Sequence, residues 1–328
     1  MEMYSHLIKA KKSISKYFPE KNICFLDIET TGLSRKYNQI YLIGLVYFNI
    51  ENNSWNLIQL FADHIDEEKD LLEQFNNFIS NFNLIVTYNG DSFDLPFIKH
   101  RFKTHGINSK ILNINSFDIY RKIRNNSPYL HLENLKLKTI EESLGIYRED
   151  EYSGKDCINL YYQYMKTKDK ILKQKILKHN YDDLYYLLDI IKIFDFINDI
   201  KSKIINFNNG KIYMEIENIT IDGDVLRISS NTSVMNKQIN LFYYENGFNL
   251  HWKDKTNLII DLEVKKGFIT PTKKCLFINK TKLPVSINLE DLSKYMVPNN
   301  IVLIKVEDKY EMENIKNIIE RLILYVLN

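Results

Sequence analysis

Glycine and proline are scarce in this 328-residue chain, at 10 and 6 residues, which leaves little material for flexible linkers. Cysteine is scarce too. Cys24, Cys157 and Cys275 are far apart, odd in number and form no CxxC pair, so neither a disulfide framework nor a zinc-finger spacing is suggested. Cys24 sits in an apolar run and reads as a small buried hydrophobe. No apolar stretch reaches the roughly 18 residues of a membrane span, so no membrane partner is expected. The opening MEMYSHLIKAKKSISKYF lacks the apolar core of a signal peptide. A strong charge of one sign is also missing. The net charge is +2, so any path for nucleic acid must be a local one. A cytoplasmic, reducing location fits all of these features.

Core material is plentiful. Hydrophobic residues make up 45%, with 22 Tyr and 18 Phe, enough for two domains. Residues 4–18 are weakly amphipathic and are expected to be helical. Three strand-like runs follow, at 23–29, 40–48 and 54–62, as an antiparallel meander. Residues 67–82 carry Leu71, Leu72, Phe75, Phe78, Ile79 and Phe82 at helical spacing. A strand at 84–88, a turn-rich NGDS, a helix with Pro96 near its start and a strand at 111–118 come next. Helices are expected near 133–144, 153–167 and 169–200. Beyond about residue 203, NNG (208–210), DGD (222–224), ENG (245–247) and KKG (265–267) punctuate strand-like runs as hairpin turns. An amphipathic helix over 309–327 closes the chain. The expected division is 1–202 and a smaller β-rich α+β domain over 203–328.

Three clusters of acids stand out. In Asp27-Ile28-Glu29, residues two apart on a strand share a face, so both acids project together at the end of an apolar run. Like charges there are costly without a positive partner, and an oxygen-only donor set suits magnesium or manganese. Alone, the pattern also fits a strand ending in solvated acids. In Asn89-Gly90-Asp91-Ser92-Phe93-Asp94, a strand ends and a helix starts, and Asp94 could serve only as an N-cap, as could Asp91 or Ser92. In His179-Asn180-Tyr181-Asp182-Asp183, His179, Asn180 and Asp183 fall on the apolar side of a long helix with Ile176, Leu184 and Leu187, while Asp182 points away with Lys178. An inward polar pair satisfied by its neighbours is the bland alternative.

Taken together, DIETTGL (27–33), NGDSFD (89–94) and HNYDD (179–183) resemble the three motifs of the DEDD 3′→5′ exonuclease superfamily, in the right order. More narrowly, with LKLKTIEESLGIYREDEYSGKDCINLYYQYM (135–165) as the connector, residues 20–200 resemble the YprB-like group of ribonuclease H-like proteins. Other members carry Tyr four residues before the last Asp or His five before it. Here His179 stands four before Asp183. The implied fold is an α/β ribonuclease H-like mixed sheet flanked by helices. The implied activity is 3′→5′ exonuclease hydrolysis releasing nucleoside 5′-monophosphates. Asp27, Glu29, Asp94 and Asp183 would hold two ions, Mg²⁺ or Mn²⁺, about 3.5–4 Å apart. His179 would take a proton from water. Thr30, Thr31, Gly32 and Leu33 would meet the terminal nucleotide, Asn89 the strand near the scissile phosphate, and Phe93 a base. Arg148 and Lys155 would meet phosphates, with a solvated surface as the alternative. The implied partner is nucleic acid with single-stranded 3′ ends.

For the second domain, Tyr243, Tyr244, Phe248 and Trp252 beside Lys253 and Lys255 suggest an aromatic and basic surface, of which half should be core. A catalytically silent binding module and a phosphodiesterase acting on short oligonucleotides are the rival functions.

Overall fold

Apolar runs separated by tight turns fold here as sheets, and the amphipathic stretches between them fold as covering helices. The computed structural model describes residues 1–8, 14–19, 22–51, 53–148, 152–207, 210–234, 239–254 and 256–327. Two compact units are present: residues 1–124 with 133–193, and residues 125–132 with 194–328.

The first unit comprises β1 (Glu2–Ile8), β2 (Ile23–Thr30), β3 (Ile40–Asn49), β4 (Ser54–Phe61), α1 (Glu68–Ile79), β5 (Leu84–Thr87), α2 (Asp94–Thr104), β6 (Asn115–Asp118), α3 (Ile119–Asn125), α4 (Leu137–Ser143), α5 (Gly154–Thr167) and α6 (Lys170–Ile190). The six strands form one sheet in the order β1-β4-β3-β2-β5-β6. β1 to β4 pair antiparallel, while β5 and β6 run parallel to β2. β2 is central and covered on both faces, which is why ICFL is continuously apolar. Leu71, Leu72, Phe75 and Ile79 of α1 are buried in the same core as Leu42, Phe61 and Ile98. Glu68, also buried, is bound by Arg101 and His105 and accepts the Ile40 N–H at 2.8 Å, so this interior charge is satisfied.

The N-terminal expectation is corrected. Residues 2–8 are not helical but form β1, in register from Glu2 opposite Phe61 to Ile8 opposite Trp55. The remaining edge of β4 carries backbone N–H and C=O groups that need partners, and the first residues supply them. Residues 9–13 of the expected helix lie outside the described residues. The expected helix over 169–200 is two helices, α6 and α7 (Ile193–Lys201), separated at Ile191–Lys192.

In the second unit, β7 (Ser202–Phe207), β8 (Gly210–Asp222), β9 (Val225–Val234), β10 (Leu241–Glu245), β11 (Phe248–Lys253) and β12 (Asn257–Glu263) form an antiparallel sheet in the order β10-β11-β12-β9-β8-β7. β13 (Lys265–Phe268), β14 (Lys274–Asn279), β15 (Ile301–Val306) and β16 (Lys309–Tyr310) form a second sheet, followed by α8 (Met312–Leu327). Ile315, Ile318, Ile319, Leu322 and Ile323 of α8 join Leu250, Trp252, Ile260 and Ile304 in one core. Gly223, at φ +60°, and Gly247, at φ +89°, make the hairpin turns expected of DGD and ENG. KKG does not turn. Gly267 lies inside β13 opposite Cys275, where a Cβ would come 3.0 Å from the Phe277 ring. NNG falls partly outside the described residues. Among the described residues, no helix is long and apolar enough to cross a membrane.

Candidate metal centre

The motif residues converge on the C-terminal end of β2. Asp27 and Glu29 leave the strand on one side, two residues apart. Asp94 is the first residue of α2, but it does not cap the helix. The N-cap position is Phe93, with no side-chain cap bond, and the Asp94 carboxylate instead accepts the Ile28 N–H at 3.2 Å. It is therefore tied to the β2 backbone between the two strand acids. His179, Asn180 and Asp183 come from one face of α6, with His179 and Asn180 buried. His179 Nε2 lies 3.6 Å from Glu29 Oε1 and 3.6 Å from Asp183 Oδ2. Asp182 turns outward to Lys178, as the helical spacing predicts.

Electrostatics at this point are unfavourable for four carboxylates alone. Loss of water pushes the Asp27 carboxyl well above the usual range, and the charges of Asp183, Asp94 and Glu29 push the same way. A hydrogen bond of 2.7 Å from Asn180 Nδ2 opposes them. Burial raises the Asp94 carboxyl to about 7, against the lowering effect of backbone N–H donors. The Tyr41 hydroxyl is buried without a hydrogen-bond partner among the described residues, and after burial the Glu29 charge is the next largest influence on it. A crowded set of hard oxygen donors beside an orphaned hydroxyl fits divalent cations.

A row across the sheet supports the site. Asp27 on β2 pairs with Gly44 on β3, and Gly44 pairs with Gln59 on β4. Asn180 lies over this row, and its Oδ1 accepts from Gln59 Nε2 at 2.8 Å. A Cβ on residue 44 would fall 2.4 Å from both Asn180 Oδ1 and Leu184 Cδ1, so the row needs glycine there.

The nucleotide-contact expectations divide. Leu33 is 82% exposed, free to pack on a base. Asn89 is exposed at φ +65°, and its N–H donates to Asp118 Oδ1 at 2.9 Å. Thr30 and Thr31 are buried and bonded within their own turn, Thr30 to the Gly32 carbonyl and Thr31 to Gln39. Their side chains shape the loop, and Gly32 leaves room in it for Asn38. Phe93 is half-buried and packs on Phe97. Arg148 is not on a solvated surface. Its side chain is buried, with Nε 2.9 Å from Glu141 and Nη1 2.6 Å from Asp183. Lys155 is exposed.

Four contributors escaped the sequence reading. Gly44, Gln59 and Cys157 carry no local motif. Asp118, at the end of β6, accepts the N–H groups of Asn89, Asp91 and Arg121 and so holds the second-motif turn. Cys157 Sγ lies with a Glu29 oxygen and a His179 nitrogen, all three within 4.8 Å of one another.

In the second unit, Phe248 and Trp252 are core, Tyr244 is exposed, and Tyr243 is half-buried against Phe248. Trp252 Nε1 donates to Thr232 Oγ1 at 2.9 Å. Lys255 lies outside the described residues.

A family model for the RNase H superfamily matches residues 24–194. The chain is 27% identical over 198 residues to the protein YprB of Bacillus subtilis (strain 168), which covers 57% of this chain and 44% of that one. It thus spans less than half of this relative. Among solved structures, the family B DNA polymerase from the hyperthermophilic archaeon Pyrobaculum calidifontis shares 16% identity at a TM-score of 0.43, over 55% of this chain and 25% of the polymerase. A product-bound exonuclease I shares 11% at a TM-score of 0.34, over 63% and 58%. These structural likenesses are distant and add nothing to the assignment. The sequence match over 24–194, more than half of the chain and spanning all three acidic motifs, shows that the chain belongs to the RNase H superfamily.

Proposed function

We propose that this chain is a metal-dependent 3′→5′ exonuclease that releases nucleoside 5′-monophosphates from single-stranded nucleic-acid ends. One arrangement carries the reading: Asp27 and Glu29 on β2, Asp94 bound to the Ile28 N–H between them, and Asp183, which shares His179 with Glu29, bring four carboxylates together, where burial first, and then the charges of Asp183, Asp94 and Glu29, raise the Asp27 carboxyl. Such a set is stable when cations share it. Asp27, Glu29, Asp94 and Asp183 would hold two Mg²⁺ or Mn²⁺ ions. When bound, the ions supply charge neutralisation at the phosphoryl group and activation of water. His179 Nε2, between Glu29 and Asp183, is the base that takes the water proton. Asn180 holds Asp27 in position. Leu33 packs on the terminal base, and Asn89 meets the strand near the scissile phosphate.

Arg148 favours a second reading. Its guanidinium already supplies a positive charge to Asp183, as it would in a catalytically silent nucleic-acid-binding module kept on this fold. Degradation of 3′- and 5′-labelled single-stranded DNA and RNA, with Mg²⁺, Mn²⁺ or EDTA, separates the two. Stepwise metal-dependent loss from the 3′ end, absent in Asp27→Ala, is expected. Retained binding with no release under either metal would establish the silent module. Loss limited to the shortest strands would mark an oligonucleotide phosphodiesterase.

A further inference from the structure

We propose that Cys157, His179 and Glu29 form a thiolate-containing site for Zn²⁺, and that zinc there blocks the hydrolysis supported by Mg²⁺ or Mn²⁺. The blocking half rests on the exonuclease reading; the site itself does not.

Residue chemistry and spacing both support a site distinct in kind from the carboxylate set. Cys157 is fully buried in the first turn of α5, a helix fixed at its start by the Ser153–Asp156 capping box. Its sulfur is brought to Glu29 of β2 and His179 of α6, so three elements each contribute one donor. Sulfur, nitrogen and oxygen together are a borderline-soft donor set, which magnesium does not favour and zinc does. Around a four-coordinate zinc, with bonds of about 2.0–2.3 Å, ligand atoms lie about 3.3–3.8 Å apart. The Glu29–His179 separation is 3.6 Å, already in that range. All three donor atoms lie within 4.8 Å of one another, so closing the set takes a shift of about 1.5 Å at most, within the reach of side-chain rotation. Asp183 Oδ2, also 3.6 Å from His179 Nε2, or a water fills the remaining position.

Binding balances simply. The Cys157 thiol releases its proton to solvent and the sulfur lone pair enters the metal coordination shell. The consequence follows from shared atoms. His179 Nε2 cannot accept a proton from water while its lone pair is on zinc, and Glu29 is withdrawn from the carboxylate set.

The test uses the full chain, wild type and Cys157→Ser, with Co²⁺ as a spectroscopic stand-in for Zn²⁺. Cobalt should give a thiolate-to-metal charge-transfer band in the wild type and none in Cys157→Ser. Competition with a chromophoric chelator should show Zn²⁺ affinity falling more than about 100-fold in the variant, beyond the 10–100-fold typical of groups that merely support a ligand. The Zn²⁺ concentration that halves Mg²⁺-supported release should rise by a similar factor. X-ray absorption of the zinc-loaded wild type needs no variant and should show a sulfur neighbour at about 2.3 Å. A shell of oxygen and nitrogen only, or a cobalt band that persists in Cys157→Ser, overturns the site. Zinc inhibition that is equal in both proteins overturns the role of Cys157 in blocking. A band in the wild type without nuclease activity under any metal leaves the site standing and removes the exonuclease reading instead.

Discussion

Asn180 bridges Asp27 and Gln59: its amide nitrogen donates to Asp27 Oδ2 at 2.7 Å, and its carbonyl accepts from Gln59 Nε2 at 2.8 Å. One α6 side chain therefore orients a β2 carboxylate and is itself oriented from β4. Replacing it by Asn180→Leu keeps the branched outline at a larger volume and removes both bonds. Stability to urea should fall by about 1–3 kcal/mol, the cost of unsatisfied buried partners. Mg²⁺ affinity or turnover should fall about 10–100-fold. An unchanged Mg²⁺ dependence would mean that the bridge serves the core alone.

Cation binding should be visible without any substrate. Mg²⁺ at about 100 times its Kd should stabilise the wild type by about 2.7 kcal/mol. Asp27→Asn and Asp183→Asn should lose that increment. Metal-free Asp27→Asn should be at least as stable as the metal-free wild type, because a carboxylate that is buried and crowded by three others is gone. Thermal unfolding with EDTA and with Mg²⁺ measures both effects. An Mg²⁺ increment that survives in Asp27→Asn would contradict the ligand assignment.

Gly44→Ala should destabilise by about 1–3 kcal/mol through overpacking against Asn180 and Leu184. The damage should extend to the site, since moving Asn180 releases Asp27. Gly106→Ala is a contrast. Gly106, at φ +66°, meets nothing within 4 Å, so its cost is backbone strain alone and should leave Mg²⁺ binding intact. Denaturation midpoints and the Mg²⁺ increment together separate these outcomes.

Asp63 gives an acid-side signature away from the metal centre. Burial raises its carboxyl, but hydrogen bonds from Lys173 Nζ, at 2.8 Å, and from the Tyr164 hydroxyl outweigh burial and lower it overall. A carboxyl lowered in the folded state contributes stability above its unfolded value, about 3.9, and loses it as the pH falls through the folded value. Asp63→Asn should therefore lower stability at pH 7 and flatten the decline below about pH 4. Equal pH slopes in the two proteins would show that the Lys173 pairing contributes nothing.

The sequence alone determined the α/β class of the first unit, the β-rich character of the second and the three acidic motifs. Each of these is a local signal. A period of two puts Asp27 and Glu29 on one side of β2, a period near 3.6 puts His179, Asn180 and Asp183 on one side of α6, and Asx-Gly pairs mark hairpins at Gly223 and Gly247. Where local signals compete, the sequence misleads. Residues 4–8 open a stretch of helical spacing yet pair as a strand within β1, because the open edge of β4 needs backbone partners. Gly267 looks like a turn but lies flat beneath Phe277. Only the tertiary structure decided that Arg148 is buried against Asp183, that Gly44 makes room for Asn180, and that Cys157 meets His179 and Glu29. Those contacts join residues far apart in the chain, and their energy depends on distance and burial, which spacing along a sequence does not encode.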